Sequence, residues 1–105
     1  MTNWLMAVSG TVDPVVDRAE FDDWYDNVHL PEIAACPGIR RGTRYEAPHS
    51  AEGPHAFLTL YELEGPEAVD GELFRSRRGW GPFAGHVTFT TRVVQQRTVC
   101  ENAGR

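Results

Sequence analysis

The sequence contains no lysine; its ten basic residues are all arginine. That absence removes a lysine Schiff base, covalent attachment of pyridoxal phosphate and a P-loop lysine. Cysteine is scarce as well. Cys36 and Cys100 are too few for a disulfide framework and have no metal-site spacing, so a buried thiol is the expected role for either. No apolar run approaches the length of a transmembrane helix or a signal-peptide core. Trp4–Val8 is short and no basic segment precedes it, so a cytoplasmic location is expected. There is no basic run, and the net charge is −5, which argues against nucleic acid and anionic membrane as partners. No serine lies in a nucleophile-elbow motif, and no glycine-rich dinucleotide fingerprint follows the first strand. At 105 residues, positions 1–105 are expected to form one domain with a small core.

What the chain does have is concentrated in Phe21–Glu32. Phe21, Trp24, Tyr25 and Val28 recur at i, i+3, i+4 and i+7, which places three rings and a valine on one helix face. Asp22, Asp23, Asp26 and Asn27 fall toward the other side. His29 follows Tyr25 by four residues and lies at the edge of the stripe, roughly 80° from Phe21. Pro31 is expected to end or kink this helix, since it has no N–H and disfavours helical geometry at Leu30. An imidazole at a helix break, beside a tyrosine and carboxylates, is the place to look for chemistry.

In chain order, Trp4–Val12 reads as a strand, and the helix begins between Pro14 and Asp17 with Asp13 or Asp17 as N-cap. One more turn is expected over 32–36 before Cys36-Pro37-Gly38 stops it. Ile39–Glu46 reads as a second strand, with Arg44 and Tyr45 on opposite faces, and Ala47–Pro54 as a loop. His55–Leu63 alternates so strongly that a central strand covered on both sides is expected. A second helix starts at Pro66, weakened by Gly71, and carries Arg75, Arg77 and Arg78 at its C-terminal end, where the helix dipole favours them. Gly79–Gly85 reads as a glycine-rich loop bearing Trp80 and Phe83, and His86–Val99 as a long last strand, with a frayed tail beyond it.

The order β-α-β-β-α-β is the α+β, ferredoxin-like plan: a four-stranded antiparallel sheet with both helices on one face. The other face would be bare in a monomer. Phe57, Thr59, Tyr61, Val87 and Phe89 make one face or the other too apolar to stay wet, so two sheets are expected to pack together in a homodimer.

The run Glu20-Phe21, Trp24-Tyr25, Val28-His29-Leu30-Pro31-Glu32 and Pro37-Gly38 resembles the signature of EthD-like dimeric α/β-barrel proteins. Leu60-Tyr61-Glu62-Leu63 and Arg92-Val93-Val94 look like the same group, so the resemblance spans nearly the whole chain in element order. It implies a homodimer whose sheets form a barrel, with a pocket in each subunit between sheet and helices. Relatives in this superfamily include polyketide cyclases, dehydratases, decarboxylases, muconolactone isomerases and cofactor-free monooxygenases, many acting on aromatic or polycyclic molecules. The family's motif histidine matches His29 and its tyrosine Tyr25. Haem-binding barrels belong to the same superfamily, but no residue here is singled out as an axial ligand.

His29 and Tyr25 are therefore the candidate catalytic pair. An imidazole titrates near neutrality and can take and return a proton, with Asp22 or Asp26 to orient it; alternatively His29 only bonds a carbonyl freed by Pro31. Trp24, Arg44, Trp80 and Phe83 are the candidate substrate contacts: Arg44 for a carboxylate or oxyanion, Trp80 and Phe83 as a lid. Trp24 and Phe21, at helical spacing, suit the core better than a pocket wall. No metal site is expected, because His49, His55 and His86 share no ligand-like spacing, and no cofactor is expected. The expectation is a cofactor-independent enzyme performing cyclisation with dehydration, or isomerisation, on a hydrophobic, oxygenated, aromatic or polyketide-like small molecule of secondary metabolism. The alternatives are a cofactor-free monooxygenase of the same superfamily and a non-catalytic small-molecule-binding dimer. The role of Arg75, Arg77 and Arg78 stays open.

Overall fold

The computed structural model describes residues 3–48 and 55–104. Four strands, β1 (Trp4–Val12), β2 (Ile39–Glu46), β3 (His55–Leu63) and β4 (Val87–Gln95), form one antiparallel sheet in the order β2-β3-β1-β4. This is the ferredoxin-like topology, with β1 and β3 in the centre and both helical segments packed on one face. The loop residues 49–54, His49 among them, lie outside the described residues. No helix among the described residues is long and apolar enough to cross a membrane.

Register decides which side chains meet the helices. Val8 stands opposite Thr59 on β3 and Thr91 on β4, and Met6 opposite Tyr61 and Val93. These residues share a face with Phe57, Leu63, Val87 and Phe89, because side chains alternate along a strand. Phe57, Thr59 and Tyr61 are buried beneath the helices, so of the two faces that the sequence pattern left open they lie on the covered one. The bare face instead carries Leu5, Ala7, Leu58, Leu60, Tyr45 and Val94; Leu58, Tyr45 and Val94 are exposed. Strand β3 is central but covered on one side only.

The first helical segment is continuous from Arg18 to Ala34, yet it is not uniform. Helix α1 (Arg18–Trp24) starts at the N-cap Asp17, whose carboxylate accepts the Glu20 N–H at 3.1 Å. Residues Tyr25–His29 then form a π-helical turn, in which the Leu30 N–H reaches back five residues to the Tyr25 carbonyl. Helix α2 (Leu30–Ala34) completes the run. Pro31 therefore does not end the helix. Its ring would crowd the carbonyl four residues back, and the wide turn before it relieves that crowding while Pro31 sits in the first turn of α2.

The extra residue in the turn slips the helix phase by about 100°. His29 takes the inward position that a regular stripe gives to Val28. His29 is 6% exposed and Val28 is 48% exposed. The wide turn also stacks Trp24 on His29, with ring centroids 4.8 Å apart and planes 12° off parallel.

The second helical segment is broken where Gly71 interrupts it. A 3₁₀ stretch (Pro66–Asp70) gives way to α3 (Glu72–Arg77), with Gly71 in an extended conformation between them. The last strand ends at Gln95 and not at Val99, and residues 96–104 are exposed. Cys36 is buried and Cys100 exposed, so only the first takes the expected role.

Candidate active site

Between the sheet and the helices lies a cavity of about 660 Å³. Its floor is the helix-side face of the sheet, with Met6, Val8, Phe89, Thr91 and Val93, and its walls include Ile33, Val69 and Phe74. At the buried end stand His29, Tyr25, Tyr61 and Trp80; toward solvent stand Asp70, Arg75 and Arg78. A largely apolar enclosure with few converging polar groups is the usual form of a small-molecule site.

His29 reaches the cavity because of the π-turn. Its Nδ1 is sealed from solvent and makes no hydrogen bond among the described residues; the Glu32 carboxylate stands 3.7 Å away, beyond hydrogen-bonding distance. That leaves Nε2 as the nitrogen available to a ligand. Burial pushes the imidazole pKa below its ordinary value of 6.5, and Glu32 offsets only part of that. At neutral pH the ring is a neutral base boxed in by Trp24, Tyr25 and Trp80, the last two at centroid distances of 5.5 and 5.6 Å.

Tyr25 arises from the same turn. Its hydroxyl shares a hydrogen bond with Thr59 Oγ1 at 2.7 Å, and it interacts with the Tyr61 phenol. Burial raises the Tyr25 pKa, against the opposing effects of the Thr59 bond and the Arg44 charge. Burial, with Tyr25 beside it, raises Tyr61 further still. Both phenols stay protonated: Tyr61 donates to the Tyr25 oxygen, which leaves the Tyr25 O–H as the donor nearest a ligand.

Arg44 sits behind Tyr25 and does not line the cavity. Its guanidinium lies 4.7 Å from the Tyr25 ring centroid and donates to Asp22 at 2.7 Å and Asp26 at 2.9 Å. This corrects two expectations. Asp22 and Asp26 hold Arg44, and the carboxylate beside His29 is Glu32, three residues along the helix. Arg44 braces Tyr25 from the rear and is not placed to touch a ligand. Asp22, Glu46 and His55 come close enough together to suggest a cation site, but Arg44 Nη2, 3.4 Å from His55 Nε2, already supplies the positive charge there.

Trp24 and Phe83 are also absent from the cavity wall. Phe83 meets Phe21 at 5.2 Å and Trp24 at 5.5 Å, edge to face. The Gly79–Gly85 loop is packed down, not open. A Cβ at Gly81, where φ is +49°, would come within 2.9 Å of the Trp24 ring, so glycine lets the backbone lie on that indole. Of the four expected substrate contacts only Trp80 lines the cavity, as a buried wall touching Phe21, Tyr25, His29, Phe57 and Phe89.

Sequence reasoning missed Glu32, Tyr61 and Thr59 as site residues, and it noted Arg75 and Arg78 without assigning them. Glu32 was readable from its i+3 spacing to His29, and Tyr61 and Thr59 from their alternation with Phe57.

No protein-family model matches the sequence, and no curated protein matches it. Solved structures do match in fold. An ethyl tert-butyl ether D (EthD) family protein from Bacillus halodurans superposes with a TM-score of 0.64 at 18% identity, covering 85% of this chain and 96% of that one. SnoaB from Streptomyces nogalater, a cofactor-independent oxygenase, gives 0.63 at 13% identity over 98% of both chains. A Streptomyces coelicolor monooxygenase in complex with Nanaomycin D gives 0.57 at 13% identity, covering 97% of this chain and 94% of that one. At these identities the likeness is one of fold: the ferredoxin-like fold of EthD-like and antibiotic-biosynthesis-monooxygenase proteins.

Proposed function

We propose that this chain is a cofactor-independent monooxygenase acting on a hydrophobic phenol or enol of aromatic, polyketide-like type. The observation that carries the reading is His29: a neutral imidazole held in the wall at the buried, aromatic end of the cavity, its Nδ1 without a hydrogen bond among the described residues. Such a base takes the proton of a bound phenol. Tyr25, whose oxygen accepts from Tyr61, donates its own O–H to the resulting oxyanion, and the apolar walls keep water from competing with dioxygen. The electron-rich anion is itself the reductant. One atom of dioxygen forms the new C–O bond; the other leaves as water with the hydrogens lost from the substrate's C–H and O–H, so a phenol ends as a quinone.

The cofactor-independent oxygenase and the monooxygenase among the matching folds support this order of preference. It places oxygenation ahead of the cyclisation or isomerisation that the sequence favoured. An oxygen electrode separates the two. With an anthrone as substrate, the metal-chelated protein is expected to consume one dioxygen per quinone formed. Conversion of substrate without oxygen uptake contradicts the reading and returns cyclisation or isomerisation to first place.

The working unit in this reading is a homodimer, joined through the bare sheet face. Leu58, exposed and paired in register with Tyr45 on β2 and Ser9 on β1, stands within that face. Leu58→Asp is expected to turn the dimer into a monomer by light scattering. A wild-type monomer at tens of micromolar contradicts the dimer.

A further inference from the structure

We infer that the substrate carries a single carboxylate, held at the cavity mouth by Arg75 and Arg78; this rests on the reading of the cavity as a substrate site. Three arginines crowd the end of α3, and the structure divides their work. Arg77 is tied down, its Nη1 donating to the Glu32 carbonyl at 2.8 Å, which pins α3 to α2. Arg75 and Arg78, three residues apart and so on the same side of the helix end, line the cavity. Both are exposed, and neither has a carboxylate within ion-pairing distance among the described residues. Arg18, Arg41 and Arg44 each have at least one, at 3.4, 3.3 and 2.7 Å; Arg40, Arg92 and Arg97 also have none among the described residues, but they do not line the cavity.

The rim also sets the charge of the ligand. Asp70 lines the same mouth, so two guanidinium groups and one carboxylate leave a net charge of +1. That balance suits a monoanion and opposes a doubly charged phosphate. A guanidinium presents paired N–H groups that match the two oxygens of a carboxylate. The opposite end, lined by His29, Tyr25, Tyr61 and Trp80, is buried, and no carboxylate or guanidinium lines it, so it receives the ring that reacts. The cavity thus orders an amphipathic molecule: carboxylate outward, phenol inward against His29.

The test uses tryptophan fluorescence, since Trp80 lines the cavity. 6-Hydroxy-2-naphthoic acid and its methyl ester are titrated into the wild-type protein and into Arg75→Ala/Arg78→Ala. The acid is expected to bind about tenfold more tightly than the ester, as charge-assisted hydrogen bonds at a solvent-facing rim allow. Added salt should weaken the acid alone. The double variant should bring the acid to the ester's affinity and leave the ester unchanged, and Arg75→Glu/Arg78→Glu should make the ester the better ligand. Equal affinities in the wild type, a preference that survives in the double variant, or failure of both compounds to bind overturns the inference. Tight, arginine-dependent binding of the acid without oxygen uptake contradicts the oxygenase reading and leaves this one standing.

Discussion

His29→Ala is expected to lower kcat by about 10²- to 10⁴-fold, the usual worth of a positioned general base. The effect falls on kcat more than on KM, because the imidazole acts on the proton in flight and most of the ligand's contact area lies elsewhere in the cavity. The pH profile carries the sharper signature. The base works only when neutral, and burial holds its pKa below 6.5. Wild-type kcat/KM should therefore be flat through neutrality and fall as the pH drops through the lowered pKa. The variant should lose that acid limb. Stability follows the same sign: the unfolded chain takes up this proton near 6.5 and the folded chain only at lower pH, so the contribution of neutral His29 is lost as the pH falls below 6.5. An acid limb unchanged in His29→Ala would assign the proton transfer to another group.

Phe21→Ala is expected to cost about 3–5 kcal/mol, the range for a buried phenylalanine. The ring is 0% exposed and touches Trp24, Tyr25, Phe57, Trp80 and Phe83 at centroid distances of 5.2 to 6.4 Å. It is the hub through which the helix, the sheet and the Gly79–Gly85 loop meet. Domains of this size are stable by only about 5–15 kcal/mol, so Tm should fall by about 15–25 °C. The informative control is Val28→Ala. A regular helical stripe puts Val28 on the buried face beside Phe21; the π-turn turns it out to solvent. Its loss should stay within about 0.5 kcal/mol, as for an ordinary surface position. Equal losses at the two positions would mean that the helix runs without the slip, and that His29 does not face the cavity.

That slip shows where sequence reading stops. Strand alternation in His55–Leu63 and the apolar spacing of Phe21, Trp24 and Tyr25 are local patterns, and they were enough to give the order of elements and the ferredoxin-like fold. The N-cap at Asp17 and the weakness at Gly71 were legible for the same reason. The π-turn depends on how the chain accommodates Pro31 while burying its rings, so a period of 3.6 placed His29 at an edge and Val28 inside, the reverse of the observed order. The partner of Asp22 and Asp26 is Arg44, about twenty residues away and on another element; helix spacing alone pointed to His29 instead. Trp80 and Phe83 looked like a lid because glycines surround them, yet Trp80 is buried in the cavity wall and one of those glycines, Gly81, lies against Trp24. Arg75 and Arg78 were visible as charge, but only the fold brings them to the cavity that holds His29.

The most direct test of the central claim is the titration of the His29 imidazole by NMR, with His29→Ala to assign the signal and 6-hydroxy-2-naphthoic acid as the probe. A pKa below 6.5 that moves when the probe is added is the result predicted for a base buried in a working cavity. A pKa at or above 6.5, with a signal that ignores the probe, would contradict it.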